Sequence, residues 1–282
     1  MAADPRRAPV KGRRNFFLIH LLSAAICLST SFTGTHMAAF AKEKSRGVRL
    51  LDPGEEMTPS PGPATGGAVS GSMPLETVRI AISDGDARHL SGLVPRDAPF
   101  EIVKPSANPD LVWDPVSHKV SSGRETIAYG IDSSDLASVI DRTAALRRLK
   151  QWPAEKSQRL RLLSGSSPLR GLDRIEIEAT EIAGRALVLF AITGDGTVQI
   201  LYPLGSDPHI VPNSPFRLAM QMREPFGSDA IIAVSSTQAL DVFEQSLKQI
   251  SHYRSAGEAL KLIKALVPDD ARLGLLTLTT TP

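Results

Sequence analysis

Residues 77–82, Thr-Val-Arg-Ile-Ala-Ile, alternate with a period of two, the pattern of a strand with one face on a core. Short apolar runs at 100–103 and 111–113 predict two more strands, and 119–131 predicts a hairpin around Ser122-Gly123. A helix follows, capped by Ser133 or Ser134, with Leu136, Val139, Ile140 and Ala144 on one face. It ends near Lys150, because Pro153 must lie beyond it. A second group opens with a strand at 159–163, then a loop-like stretch over 164–171 and strict alternation over 174–179. Residues 186–192 and 197–202 predict a hairpin joined by Thr193-Gly194-Asp195-Gly196, whose glycines supply the positive φ of a tight turn. Strands at 216–222 and 230–234 come next. Ser235 with Gln238, and Ser255 with Glu258, read as capping boxes. They open helices carrying Leu240, Phe243, Leu247 and Ile250, then Ala259, Leu262, Ile263 and Leu266. Pro268 stops the second, and 272–280 closes the chain as a strand. This order predicts an α+β fold, a mixed and mainly antiparallel sheet with helices against one face. It is expected as two small units, 75–153 and 154–282, with no internal repeat.

Upstream of residue 75 the periodicity fails. Residues 52–74 interleave Pro53, Pro59, Pro61, Pro63 and Pro74 with Gly54, Gly62, Gly66, Gly67 and Gly71. Such a stretch buries too little apolar surface to offset its ordering entropy, so 42–74 is expected to be a disordered linker. Residues 1–41 read as a secretory signal. Arg6, Arg7, Lys11, Arg13 and Arg14 precede the apolar run 16–28, and small residues lead to Ala39-Phe40-Ala41. That run is shorter than the roughly 20 residues of a spanning helix, so no transmembrane segment is expected after cleavage. Gly12-Arg13-Arg14-Asn15-Phe16-Phe17-Leu18 also resembles a twin-arginine export address, with Gly12 where Ser or Thr is usual. The general secretory route stays open beside it. A lipoprotein signal does not fit, because Ile26 precedes Cys27. The expected location is periplasmic or secreted.

Removal of 1–41 changes the charge and thiol inventory. It leaves 27 basic against 29 acidic residues, a formal charge of −2 in place of +2. No basic stripe remains to argue for nucleic acid. The single cysteine, Cys27, leaves as well, so the mature chain is expected to form no disulfide and to use no cysteine nucleophile.

The hairpin quoted above, Ala-Leu-Val-Leu-Phe-Ala-Ile-Thr-Gly-Asp-Gly-Thr-Val-Gln-Ile-Leu-Tyr-Pro, resembles the signature of domain of unknown function 4384. Pro225-Phe226-Gly227 followed by Ile231-Ile232-Ala233-Val234-Ser235-Ser236 is similar to that family's downstream segment. The likeness implies an accessory domain, often found C-terminal to bacterial caspase-like peptidases, with no assigned catalytic residues. Asp110-Leu111-Val112-Trp113-Asp114 and residues 123–128 resemble the region between the two. The peptidase part has no counterpart before the matching segment, and no cysteine follows residue 27. Caspase-type activity is therefore not expected.

Candidate chemistry is thin. Asp84, Asp86 and His89 offer two carboxylates and an imidazole, but Asp-Gly after a strand is ordinary turn chemistry. Asp110 and Asp114 flank Trp113, which is either a ligand platform or a core anchor. Asp207, His209 and Asn213 lie in the loop after Tyr202, and loops on a rigid hairpin are good binding positions. Trp113, Tyr202, Asp207, His209 and Asn213 are thus the binding candidates, with no catalytic or metal-binding residue and no cofactor indicated. The pattern points to an exported, non-enzymatic interaction module whose partner is a protein or cell-envelope component. Its face is expected to include 201–213 and 216–222. The alternatives are a hydrolase using aspartate and histidine, or a structural component of the envelope. Replacing Arg13 and Arg14 by lysine separates the export routes. Blocked export, followed by fractionation, marks the twin-arginine route, and unaffected export the general secretory one.

Overall fold

The computed structural model describes residues 75–282 apart from 85, 164–167 and 172. The signal and linker expected over 1–74 lie outside the described residues. The alternation near residue 78 becomes β1 (Val78–Ile82), followed by β2 (Phe100–Ile102), β3 (Leu111–Asp114), β4 (Lys119–Ser122), β5 (Glu125–Tyr129) and helix α1 (Leu136–Lys150). Then come β6 (Leu160–Leu162), β7 (Leu169–Arg170), β8 (Arg174–Ala179), β9 (Ala186–Ile192), β10 (Val198–Tyr202), β11 (Phe216–Gln221) and β12 (Gly227–Ser236). Helices α2 (Asp241–Ile250) and α3 (Ala256–Leu266) lead to β13 (Arg272–Thr281). The fold is α+β. Ten strands form one mixed sheet in the order β10-β9-β12-β5-β4-β3-β1-β2, with β13 on β12 and β7 on β13. β11, β8 and β6 form a small antiparallel sheet.

Strand β9 is buried at all seven positions because both faces are covered. Val188, Phe190 and Ile192 meet Phe243, Leu247, Leu260 and Ile263 of α2 and α3, together with Leu146 and Leu149 of α1. On the opposite face, Leu187 and Leu189 join Ala179 and Tyr202, and Ala191 joins Ile175 and Ile177 of the small sheet. The main sheet is therefore a middle layer, with helices on one side as expected. Helix α1 also covers β1, β3, β4 and β5 through Leu136, Val139, Ile140 and Ala144. It packs on both strand groups, and Gly227 pairs with Ala128, so the sheet runs across the division expected at residue 153.

Several details differ from the sequence reading. Asp135, not Ser133 or Ser134, precedes α1, Ser255 precedes α3 without a side-chain cap bond, and of the turn glycines Gly196 alone has positive φ. β12 runs on to Ser236, and Ser235 donates to Gln158 Oε1 at 2.7 Å, so Ser235 and Gln238 form no capping box. Asp270 serves the segment ahead of α2 instead, accepting from Thr237 N–H and Ser236 Oγ, each at 2.7 Å. β7 lies in a stretch read as loop. Its two residues carry no period, and pairing of Leu169 with Thr280 fixes them.

The two strand groups meet at the 193–196 turn. A Cβ on Gly194 would lie 2.0 Å from the Ile127 carbonyl oxygen, and one on Gly227 would lie 2.3 Å from the same atom. Gly196 has φ +89°, and a Cβ there would stand 2.8 Å from the Ser138 carbonyl oxygen. Only glycine permits these approaches. Behind the turn, the buried Arg142 of α1 donates from Nε to Thr193 O at 2.8 Å and from Nη2 to Ser228 O. Burial lowers its pKa to about 10, opposed by the charges of Asp229, Glu125 and Asp195. Asp195 accepts from Thr197 N–H at 3.1 Å and Arg254 Nε at 3.0 Å. Asp229 is less well served, its buried Oδ1 having no hydrogen-bond partner. Burial lifts this carboxyl to about 7 in spite of Arg142.

Two outcomes follow from the junction. Gly194→Ala should destabilise the protein by about 3 kcal/mol in urea unfolding, while Gly92→Ala, with open space around it, should shift it by under about 0.5 kcal/mol. Asp229 holds a proton in the folded state that the unfolded chain releases above its ordinary value of 3.8. Its contribution therefore favours folding at low pH and is lost as pH rises through about 7. Unfolding free energies measured between pH 4 and 8 should include this decline, and Asp229→Asn should flatten it. An unchanged slope in that variant would refute the assignment.

Candidate functional site

Residues 209–211 are pinned along the start of β9. Leu187 N–H donates to His209 O at 3.1 Å, Val211 N–H to Arg185 O at 2.9 Å, and Gly184 N–H to Val211 O at 2.8 Å. Val211 is buried beneath them, while the His209 side chain stays half exposed. Opposite stands the first half of α2. Leu240, Phe243 and Leu247 enter the core, with the Phe243 ring edge-on to Phe190 at 6.3 Å. Helical spacing then turns Asp241, Glu244 and Lys248 to the other side, three and four residues apart. Two acidic groups in a first helical turn also suit its macrodipole.

These groups meet His209. Its Nδ1 lies 2.9 Å from Glu244 Oε2 and 3.4 Å from Asp241 Oδ1. Lys248 Nζ lies 2.5 Å from Glu244 Oε1, so the buried carboxylate has a partner on each oxygen. One ligand-type atom from each of His209, Asp241 and Glu244 falls within 4.8 Å of the other two. The trio borders a cleft of about 520 Å³, lined also by Ala186, Ile210, Thr237, Gln238 and Gln245. Ile210 keeps 59% of its surface exposed, and Val242, next to Asp241, keeps 65%. The far wall is anchored by Asp270. Burial would raise that carboxyl, but bonds from Thr237 and Ser236, with the Arg185 charge, hold it down at about 2.

Of the residues singled out in the sequence, His209 lines this cleft. Asp207 closes its own turn, accepting Leu204 N–H at 3.0 Å. Asn213 is exposed farther along the loop and does not line the cleft. Tyr202 is buried. Its ring packs on Phe216 at 4.6 Å and its hydroxyl donates to Pro208 O, so it props the loop from beneath. Trp113 is buried too, donating from Nε1 to Ile131 O at 2.9 Å, which makes it a core anchor. Neither aromatic offers a ligand platform. Asp241, Glu244 and Lys248 were not legible as site residues, because an acidic first turn with a lysine four residues on reads as helix chemistry. Nothing in their spacing points back to His209, 32 residues before Asp241.

The other polar candidates stay apart. His89 Nε2 is 3.4 Å from Asp84 and sits edge-on to Trp113 at 6.3 Å. Asp110 accepts Arg79 N–H at 2.7 Å and pairs with Arg147 at 2.6 Å. Asp114 closes a turn on Val116 N–H at 3.0 Å and Ser117 Oγ at 2.6 Å. Asp110 precedes β3 and Asp114 ends it, which places them about 13 Å apart at the rise of a strand. Among the described residues these groups do not gather into one cluster of ligand atoms within 4.8 Å. No helix among the described residues is long and apolar enough to cross a membrane.

No protein-family model matches the chain, and no curated protein or solved structure does. The resemblance to domain of unknown function 4384 expected at residues 186–202 and 225–236 therefore stays an expectation from the sequence.

Proposed function

We propose that this body is a non-enzymatic interaction module, exported by the N-terminal signal, that meets a protein or cell-envelope component at the His209–α2 cleft. The observation carrying this reading is the cleft itself. A charged, internally paired floor lies beside the exposed Ile210, between a loop and a helix both fixed by core residues. Apolar rims around placed polar groups are the usual make-up of a recognition site. Two further features support binding over turnover. The aspartates read as possible hydrolytic groups are spread over separate turns and ion pairs. The family likeness is to an accessory domain.

Site-specific photo-crosslinking tests the assignment. A crosslinker in place of Gln245, which lines the cleft, should give a reproducible adduct in cells carrying the natural partner. The same group in place of Val116, an exposed residue of the β3–β4 turn, should not. Identical adducts from both positions, or none from Gln245, would remove the cleft as the binding face.

A further inference from the structure

We propose that His209, Asp241 and Glu244 bind one divalent transition-metal ion of the zinc class, with its remaining coordination positions open to the cleft. This rests on the cleft assigned above and names one ligand for it. The donors are an imidazole nitrogen and two carboxylate oxygens, a set that suits zinc and its neighbours better than the all-oxygen shells of calcium or magnesium. The distances suit it as well. Ligands about 2.0–2.2 Å from a zinc ion, at tetrahedral or octahedral angles, stand about 3.0–3.5 Å from one another. His209 Nδ1 is already 2.9 Å from Glu244 Oε2 and 3.4 Å from Asp241 Oδ1. The third pair, Asp241 with Glu244, stands within 4.8 Å, and side-chain rotation would draw it onto the ion.

The supporting scaffold is rigid. Asp241 and Glu244 are three residues apart on a helix seated by Phe243 and Leu247, and the His209 backbone is tied to β9. Lys248 holds Glu244 Oε1 and leaves Oε2 turned to His209, the arrangement of an outer-shell group that orients a ligand. Its positive charge also offsets one carboxylate, leaving the loaded site with a net positive charge and an open face. A partner supplying a carboxylate or phosphate oxygen would complete the coordination. By contrast, the pairs His118–Asp132 at 2.7 Å and His89–Asp84 at 3.4 Å offer two donors each.

Calorimetric titration of the full chain with Zn²⁺, and separately with Ca²⁺, tests the site. Zn²⁺ should bind, and its affinity should fall as pH is lowered, because protons compete for the imidazole nitrogen. His209→Ala and Asp241→Asn should each weaken that event by about tenfold or more, while His118→Ala leaves it unchanged. Both altered side chains are more than half exposed, so the variants should fold, as circular dichroism will verify. Zinc uptake that is absent, indifferent to both substitutions, or no stronger than calcium uptake overturns the proposal. Crosslinking from Gln245 in metal-free and in zinc-supplemented medium keeps the two readings separate. An adduct with a silent titration sinks the metal site alone, and zinc binding with no adduct in either medium sinks the partner site alone.

Discussion

Everything in this fold depends on how closely the 193–196 turn approaches β5 and α1. The first five strands and the later ones share little direct pairing, and Gly227 opposite Ala128 is where β12 touches β5. Beside α1, which packs on both groups, backbone meets backbone, with Gly194 and Gly227 crowding one carbonyl oxygen and Gly196 crowding another. Such contact leaves polar backbone groups facing each other with no water between them. Arg142 resolves this by donating to Thr193 O on the turn and Ser228 O on β12. A guanidinium suits the task because its planar fork serves two acceptors at once. Burying that charge is costly unless opposite charge lies near; Asp195 and Glu125 supply it, and Asp229 adds its own once pH rises through about 7.

Much of the fold was legible because its strands keep a strict period or a continuous apolar run. Arg174-Ile175-Glu176-Ile177-Glu178-Ala179 and Ala186–Ile192 both became strands where expected. The hairpin turn was recognised, but not its burial. Nothing local says that Thr193 and Asp195 are buried, since that follows from β5 and α1, more than 50 residues earlier. Arg142 and Asp141 were invisible for the same reason, being polar residues on a helix covered on more than one side. Ser235 misled in the other direction. Its spacing to Gln238 has the form of a cap, yet β12 claims it because a central strand gains ladder bonds on both edges.

The site shows the same division. His209 was found because it follows a rigid hairpin, whereas Trp113, singled out as an aromatic between two aspartates, and Tyr202, singled out at the hairpin's end, are buried and hold structure. Their polar tips reach backbone carbonyls at Ile131 and Pro208, the usual arrangement for buried tryptophan and tyrosine. Tyr202 still bears on the cleft indirectly, because it fixes the loop that presents His209. The carboxylates opposite were unreadable from the sequence, because their significance lies in a contact between β9's flank and α2.

The glycines at the turn also bear on ancestry. Surface loops and cleft residues drift, and overall similarity fades with them. No side chain fits at Gly194 or Gly227 while Ile127 stays where it is, so a descendant retaining this docking must retain both, with a long cation at the position of Arg142. Gly227 and the Arg142 position, together with the Gly194-Asp195-Gly196 turn, form a sparse fingerprint. It would mark distant kin in chains whose remaining residues no longer align.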